Sequence, residues 1–301
     1  MDFSVLKTRV ANETGLDVTT DATILGAWVN AAYKQVCGKD NWPWLLKLAT
    51  IQTVADISTG TVSINANSTA LTFSSAPASS VANQYMIQFT TVSDDWYLIS
   101  SHTGASTSAT LSVPFNGTVN LSGATYLLRK VFYSLPSDCD RIVDARQSRT
   151  KTKLAALDVR RVDRELPDPD ATADPVAYYL CGVDTNKYWQ IGLYPIPSTA
   201  ENIQIRYLTI PADMTGTDTP NLPEKFHDVL IFGALWMFGH AFIDDDRIAS
   251  AKARYEQAME DMEENYNPIP DQMTVIQPWD TRPRRMVGRL NWPANYPENW
   301  S

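Results

Sequence analysis

The chain has 301 residues, a formal net charge of −9 and hydrophobic residues at 44% of its positions. This length suits one large domain or two modest ones. The negative charge excludes a protein that coats itself in nucleic acid, because phosphate binding needs a surplus of Lys and Arg. Cys37, Cys139 and Cys181 match no metal or redox spacing, so we expect free thiols in a reducing compartment. We expect no signal peptide, and no apolar run is long enough to span a membrane.

Two helices are predicted at the N-terminal end, over residues 2–13 and 22–37. In both, apolar residues recur at steps of three and four, and a glycine follows. Trp42, Pro43 and Trp44 come next and make a rigid apolar plug. We expect this plug to pack against the second helix.

Residues 50–132 have a different composition, rich in Ser, Thr and Val. Short runs with period-two alternation, such as Tyr85–Phe89 and Trp96–Ile99, are separated by Ser, Gly, Asn or Pro. This pattern predicts an inserted β-domain, a small antiparallel barrel or sandwich.

A basic patch lies in the segment 141–164, with acidic residues between its members. A solvated surface is the default interpretation, and contact with DNA phosphate or an acidic neighbour is the alternative. Beyond it, residues 176–180, 188–194 and 203–210 are predicted to form a small sheet. The basic residues of the patch are Arg141, Arg146, Arg149, Lys151, Lys153, Arg160, Arg161 and Arg164.

A helical hairpin is predicted over Leu222–Tyr266. Its first helix contains an apolar run from Val229 to Ile243, which is too short for a membrane span and long for a strand. Small residues in that run, including Gly233 and Gly239, let another helix approach closely. A helix apolar nearly all round must be covered on several sides, by the rest of the chain or by other subunits.

The last 35 residues, 267–301, alternate prolines with tryptophans and arginines. Such a segment cannot form a core alone, yet three Trp are costly to leave in water. We predict an extended C-terminal arm that orders on another surface, since aromatic and Arg residues are typical interface anchors. Its candidate interaction residues are Trp279, Arg282, Arg284, Arg285, Arg289, Trp292 and Trp300.

No sequence motif of catalysis, cofactor binding or metal binding is present. The three histidines are His102, His227 and His240, and the last two are too far apart on one helix to share a ligand. We therefore predict a protein that is not an enzyme and has no cofactor, metal or catalytic residue.

The predicted fold class is α+β. A helical-bundle body comprises residues 1–49 and 133–266, the β-domain is inserted at 50–132, and the arm is 267–301.

The order of these parts resembles the head-to-tail connector adaptors of tailed bacteriophages, including the podovirus tail-tubular-A-like proteins beneath the portal. The resemblance covers most of residues 1–266, and the order of the parts carries more weight than any single motif. The stretches that carry it are Asn41–Leu45, Trp96–Ile99, Gly192–Pro195 with Arg206–Leu208, and Leu222–His227 with Gly233–Leu235.

The resemblance implies a structural virion protein of the neck, assembled in the host cytoplasm as a homo-oligomeric ring, usually of twelve copies. Its partners would be the portal, reached by the C-terminal arm, and the tail (nozzle or tubular) proteins. Double-stranded DNA would pass through the lumen during genome ejection without specific binding. In such a ring we expect Gly233, Trp236 and Gly239 to pack between subunits.

Two other functions stay open from the residues. A carbohydrate-binding or fibre-attachment module would use the inserted β-domain through Trp96. A virion-associated hydrolase would need two converging carboxylates, and nothing in the sequence nominates them.

Overall fold

A computed structural model describes residues 1–92, 94–165 and 170–266. The chain divides into a helical unit, Met1–Trp44 with the chain from Asp213 onward, and a sheet unit, Leu45–Ala212. The α-helices of the described residues are α1 (Phe3–Thr14), α2 (Ala22–Lys39), α3 (Val159–Glu165), α4 (Asp228–Phe238) and α5 (Asp245–Tyr266). Their strands are β1 (Leu46–Gln52), β2 (Val62–Ile64), β3 (Ala70–Phe73), β4 (Tyr85–Gln88), β5 (Trp96–His102), β6 (Ser108–Leu111), β7 (Leu121–Ala124), β8 (Leu127–Lys130), β9 (Phe132–Ser134), β10 (Cys139–Gln147), β11 (Ala155–Leu157), β12 (Ala177–Val183), β13 (Trp189–Tyr194) and β14 (Asn202–Thr209).

In the helical unit, α4 lies among α1, α2 and α5, which cover most of its apolar surface and leave Trp236 half-buried. The start of α1 is fixed by Asp2, whose carboxylate accepts a hydrogen bond from the Val5 N–H at 2.9 Å. Its end is fixed by Gly15, which adopts a left-handed φ of 74°. Helix α5 is amphipathic and buries one stripe of side chains, Ile248, Ala251, Tyr255, Met259 and Met262.

The Trp-Pro-Trp plug belongs to this unit and packs on α2. Trp42 is fully buried, and its indole N–H donates to the Val36 carbonyl at 2.7 Å. Trp44 stacks on Trp42 with 4.8 Å between ring centroids. The prediction that the plug packs against the second helix is confirmed.

The sheet unit contains two sheets that share one core. One has the strand order β1-β14-β10 and the other β11-β12-β13-β9. Alternate side chains of both point inward, among them Ile51, Ile205, Ala145, Tyr133 and Ile191, which lie in one buried cluster.

A third sheet, of seven short strands, has the order β7-β2-β3-β6-β5-β4-β8. Its outermost strands, β7 and β8, are joined by only Thr125 and Tyr126. Because two residues span so little distance, the sheet must curl until its ends approach each other. The enclosed core includes Phe73, Phe89 and Phe115.

The prediction of a helical-bundle body is wrong, although the class α+β holds. The described residues contain three sheets, and residues 133–212, assigned to the helical body, form β10 to β14, most of β9 and one short helix. The three strands predicted at 176–180, 188–194 and 203–210 are confirmed as β12, β13 and β14, and β14 has buried residues at every second position, as in Ile203, Ile205 and Tyr207. They do not form one small sheet, because β14 pairs with β1 and β10 and not with β13.

Candidate interaction surface

The two buried histidines are structural. The Val81 N–H donates to His102 Nδ1 at 3.2 Å, and His102 Nε2 lies 3.0 Å from the Ser106 carbonyl oxygen. His227 bonds the Leu222 carbonyl oxygen through Nε2 at 3.0 Å. Its Nδ1 lies 2.6 Å from the Met1 amine. Because both ring nitrogens of each side chain are engaged, neither is free to act as a general base.

The cysteines are equally unsuited to nucleophilic chemistry. Burial raises the pKa of Cys37 and Cys181 to about 12 and that of Cys139 to about 11. At neutral pH the reactive thiolate is therefore disfavoured. Among the described residues no cluster of His, Cys, Asp and Glu is arranged to hold a metal ion, and no helix is long and apolar enough to cross a membrane.

Surface shape points instead to contacts with other proteins. A cleft of about 590 Å³ lies in the helical unit between α2, α4 and α5, and we call it the helical groove. Trp236 and Tyr255 form its aromatic wall, with ring centroids 5.2 Å apart. Lys252 Nζ lies 5.9 Å from the Trp236 ring centroid. The groove is lined by Gln35, Gly38, Lys39, Trp236, Tyr255 and Glu256.

The three residues expected to pack between subunits occupy different positions. Gly233 is buried, and a Cβ there would lie 3.2 Å from Tyr255 Cε2 and 3.3 Å from Ala32 Cβ. Its small size therefore serves close packing inside this chain. Gly239 is also buried, beside Ile243. Trp236 is only half-buried and keeps part of its ring in the helical groove.

A second cleft, of about 360 Å³, lies in the sheet unit between the outer edges of β1 and β9. We call it the sheet-edge groove. Its walls are Ala49–Gln52 on one side and Tyr133–Pro136 on the other, with Gln84 and Lys130 also lining it. Sequence reasoning missed this feature, because residues 46–49 were not assigned to a strand.

The family model described as SU10 adaptor protein matches residues 1–281. The chain belongs to the SU10 adaptor protein family. No curated protein shows a significant match.

Membership in the SU10 adaptor family confirms the resemblance to phage head-to-tail adaptors. The protein is a structural adaptor of a bacteriophage virion, and its family implies a place in the neck and contacts with portal and tail proteins. The family is one of structural proteins rather than enzymes.

The C-terminal residues predicted to make contacts lie outside the described residues. Within this SU10 adaptor, the family match ends at residue 281 and so includes Trp279. The other six, Arg282, Arg284, Arg285, Arg289, Trp292 and Trp300, lie beyond the match.

In this SU10 adaptor at least three of the eight basic residues of the patch at 141–164 are paired with carboxylates. Arg146 and Lys153 both pair with Asp144, at 3.0 and 3.3 Å. Burial alone would raise the pKa of Asp144, but the hydrogen bonds from these two cations outweigh it and lower the pKa. Arg149 pairs with Glu201 at 2.9 Å and with Asp174 at 2.7 Å. These pairs favour a structural role over phosphate binding.

Trp96, the residue that a carbohydrate site would use, is partly covered. The Arg129 guanidinium carbon lies 4.6 Å from the Trp96 ring centroid. Arg129 is itself buried and forms an ion pair with Asp56 at 2.9 Å. One face of the Trp96 ring is therefore occupied by the protein and closed to a sugar.

Proposed function

We propose that this SU10 adaptor forms a homo-oligomeric ring of twelve copies between the portal and the tail. The ring seals the neck and leaves a channel through which double-stranded DNA passes. The single observation that carries the proposal is the family match over residues 1–281. The copy number follows the connector adaptors that the chain resembles.

The helical groove is the proposed subunit contact of the helical unit. Among the predicted packing residues, Trp236 alone presents part of its side chain there, because Gly233 and Gly239 are used within the chain. A half-buried Trp beside a Tyr, rimmed by Lys39 and Glu256, has the composition of an interface anchor with a polar rim.

The net charge of −9 supports passage of DNA without specific binding. A channel wall of the same sign as the phosphate backbone repels it, so the genome slides instead of adhering. The pairing of Arg146, Lys153 and Arg149 with carboxylates weakens the attraction of these three cations for phosphate.

Residues 279–301 are the proposed portal-binding segment. They contain Trp279, Trp292 and Trp300 together with four arginines, the residue types enriched at interface hot spots. This segment gives the ring an attachment that the folded units do not supply.

Co-expression of the full chain with the portal of the same phage tests the proposal. Electron microscopy of the purified complex should show a second ring stacked on the portal ring. A portal that purifies without this chain contradicts it. A truncation after Pro278 provides the matched control, since it should leave the folded units intact and abolish portal binding.

A further inference from the structure

The sheet-edge groove separates two open strand edges. Strand β1 is the end strand of the three-stranded sheet, and β9 is the end strand of the four-stranded sheet. Both border the groove and contribute to the same core, through Ile51 on β1 and Tyr133 on β9.

The register of β1 shows which backbone groups face the groove. The Thr53 N–H donates to the Glu201 carbonyl at 2.8 Å, which makes Thr53 and Glu201 a hydrogen-bonded pair. Because such pairs alternate along an antiparallel ladder, Ile51 and Ala49 also bond to β14. The N–H and C=O groups of Leu48, Thr50 and Gln52 therefore point away from β14, towards the groove.

Strand β9 presents its edge in the same way. The Leu135 N–H donates to the Trp189 carbonyl at 2.7 Å, so Tyr133 bonds to β13 and Ser134 points the other way. Gln84 closes one end of this edge, because its carbonyl accepts a hydrogen bond from the Phe132 N–H at 3.2 Å.

On their other side the two sheets are already joined. The Leu154 N–H donates to the Ala145 carbonyl of β10 at 2.8 Å, and the next residue, Ala155, starts β11 and donates to the Val176 carbonyl at 2.9 Å. The two sheets thus form the wall of a barrel that is continuous at β10 and β11 and open between β1 and β9. A further strand seated between β1 and β9 would face the outward backbone groups of Leu48, Thr50 and Gln52 on β1 and those of Ser134 on β9.

The β1 edge has little of the usual protection against pairing, since its one charged residue, Lys47, is engaged by Asp138 at 2.7 Å. It is seven residues long, its pairing with β14 has no bulge, and its outward side chains include Leu46 and Leu48, the latter 63% exposed. Natural proteins shorten, twist, charge or cover such edges, because an open edge is a template for another strand. An edge left long, regular and apolar indicates a strand-addition site.

The chain contains a segment of matching character beyond α5. Residues 271–277 read Asp-Gln-Met-Thr-Val-Ile-Gln, contain neither Pro nor Gly, and are bounded by Pro270 and Pro278. The central Thr-Val-Ile is strongly strand-forming, and the segment has the same length as β1. The family match ends at 281 and therefore includes it.

We propose that residues 271–277 of one copy add as a strand between β1 and β9 of the neighbouring copy. This inference rests on the proposed ring and names one of the contacts that close it. Each copy donates one strand and accepts one, which is the head-to-tail arrangement that generates closed rings. Residues 279–301 then continue beyond the accepting groove towards the portal.

Proline substitutions test the acceptor and donor separately. Thr50→Pro removes one N–H that faces the groove and leaves the β1–β14 bonds intact, whereas Thr50→Ala keeps that N–H. Val275→Pro and Val275→Ala are the corresponding donor variants. Both proline variants should reduce the assembled species at least tenfold by mass photometry, and both alanine variants should assemble as the unmodified chain does. Assembly unchanged in the proline variants overturns the proposal.

Cross-linking identifies the donor chain and does not depend on any variant's stability. Full-length Thr50→Cys is mixed with full-length Val275→Cys, assembled with the portal and treated with a short bis-maleimide. The native thiols are largely buried and give the background. As the control, Thr107→Cys replaces Thr50→Cys, because Thr107 is exposed and lies beside β6 in the seven-stranded sheet, away from the groove. A cross-link between the two variants, absent with the control, supports strand exchange.

Two other outcomes overturn the strand exchange. A double variant, Thr50→Cys with Val275→Cys in one chain, is treated in the same way. One contradicting outcome is a cross-link within this double variant and none between the two single variants, which assigns the strand to the groove of its own chain. The other is a ring that assembles with no cross-link, which leaves the proposed ring standing. If the unmodified chain forms no ring with the portal, the proposed function itself is contradicted.

Discussion

Trp44 packs edge-on against Tyr266, with 5.3 Å between ring centroids and planes at 88°. The contact joins the Trp-Pro-Trp plug to the last turn of α5, within the helical unit. Tyr266 is also the last described residue before the C-terminal segment. The plug therefore holds the last turn of α5 in place.

Removing either ring should loosen the end of α5. Edge-to-face aromatic pairs contribute about 0.5–1.5 kcal/mol beyond their buried area. We expect a double-mutant cycle of Trp44→Leu and Tyr266→Leu, measured by denaturant unfolding, to give a coupling of about 1 kcal/mol. Strictly additive effects would show that the two rings stabilise the unit independently.

The pair Arg129–Asp56 should be the ion pair most costly to break. Its side chains are 9% and 15% exposed, and Arg129 donates to Asp56 through both Nε and Nη2. Arg129→Ala leaves a buried carboxylate without its cation, which costs about 3–5 kcal/mol of unfolding free energy. Arg9→Ala breaks the exposed pair with Asp228 and should cost less than about 1 kcal/mol. Similar losses of unfolding free energy in Arg129→Ala and Arg9→Ala would contradict the expected difference between a buried and an exposed ion pair.

Gly233 and Trp236 should separate folding from assembly. A Leu at position 233 would collide with Tyr255 and Ala32. We therefore expect Gly233→Leu to lower the unfolding free energy by at least about 1–3 kcal/mol. Trp236→Ala should leave a folded chain, because its ring is only half-buried, and should weaken assembly. Circular dichroism and mass photometry measure the two effects. A Trp236→Ala chain that assembles normally would exclude the helical groove as a subunit contact.

Acid should destabilise the sheet unit through Asp138. Burial would raise the pKa of Asp138, but hydrogen bonds from Lys47 at 2.7 Å, Tyr207 at 2.9 Å and Thr209 at 3.1 Å outweigh it and lower the pKa. A carboxyl whose pKa is lower in the folded state stabilises the fold above its unfolded pKa, about 3.9. That contribution is lost as the pH falls through the folded pKa.

Denaturant unfolding at pH 6 and pH 3 checks this dependence. The unmodified chain should lose more unfolding free energy between the two pH values than Asp138→Asn does, because the amide does not titrate. Equal losses in the two proteins would show that Asp138 is not a source of the acid sensitivity.

The helices were accessible from the sequence because their apolar residues follow the helical period closely. The stripe Ile248, Ala251, Tyr255 and Met262 of α5 is buried as its spacing predicts. The Trp-Pro-Trp plug was likewise predictable, because two Trp rings that follow an amphipathic helix bury their large apolar surface most readily against that helix.

Strands β12 to β14 could be predicted from the sequence, whereas β1 and β10 were harder to predict, for two physical reasons. In β10, register shifts between Cys139 and Arg141 and between Ile142 and Asp144 interrupt the two-residue alternation. In β1, the large apolar residues Leu46 and Leu48 lie on the exposed face, so the pattern does not mark the core. The sheet-edge groove depends on which strands are neighbours, and a linear pattern does not contain that information.

The central claim, an adaptor ring on the portal, is tested most directly by the mass of the complex between the full-length chain and the portal of the same phage. Native mass spectrometry should give twelve copies of this chain per portal ring, bound as one closed ring. A complex with one or a few copies, or a portal that retains none, would contradict the account.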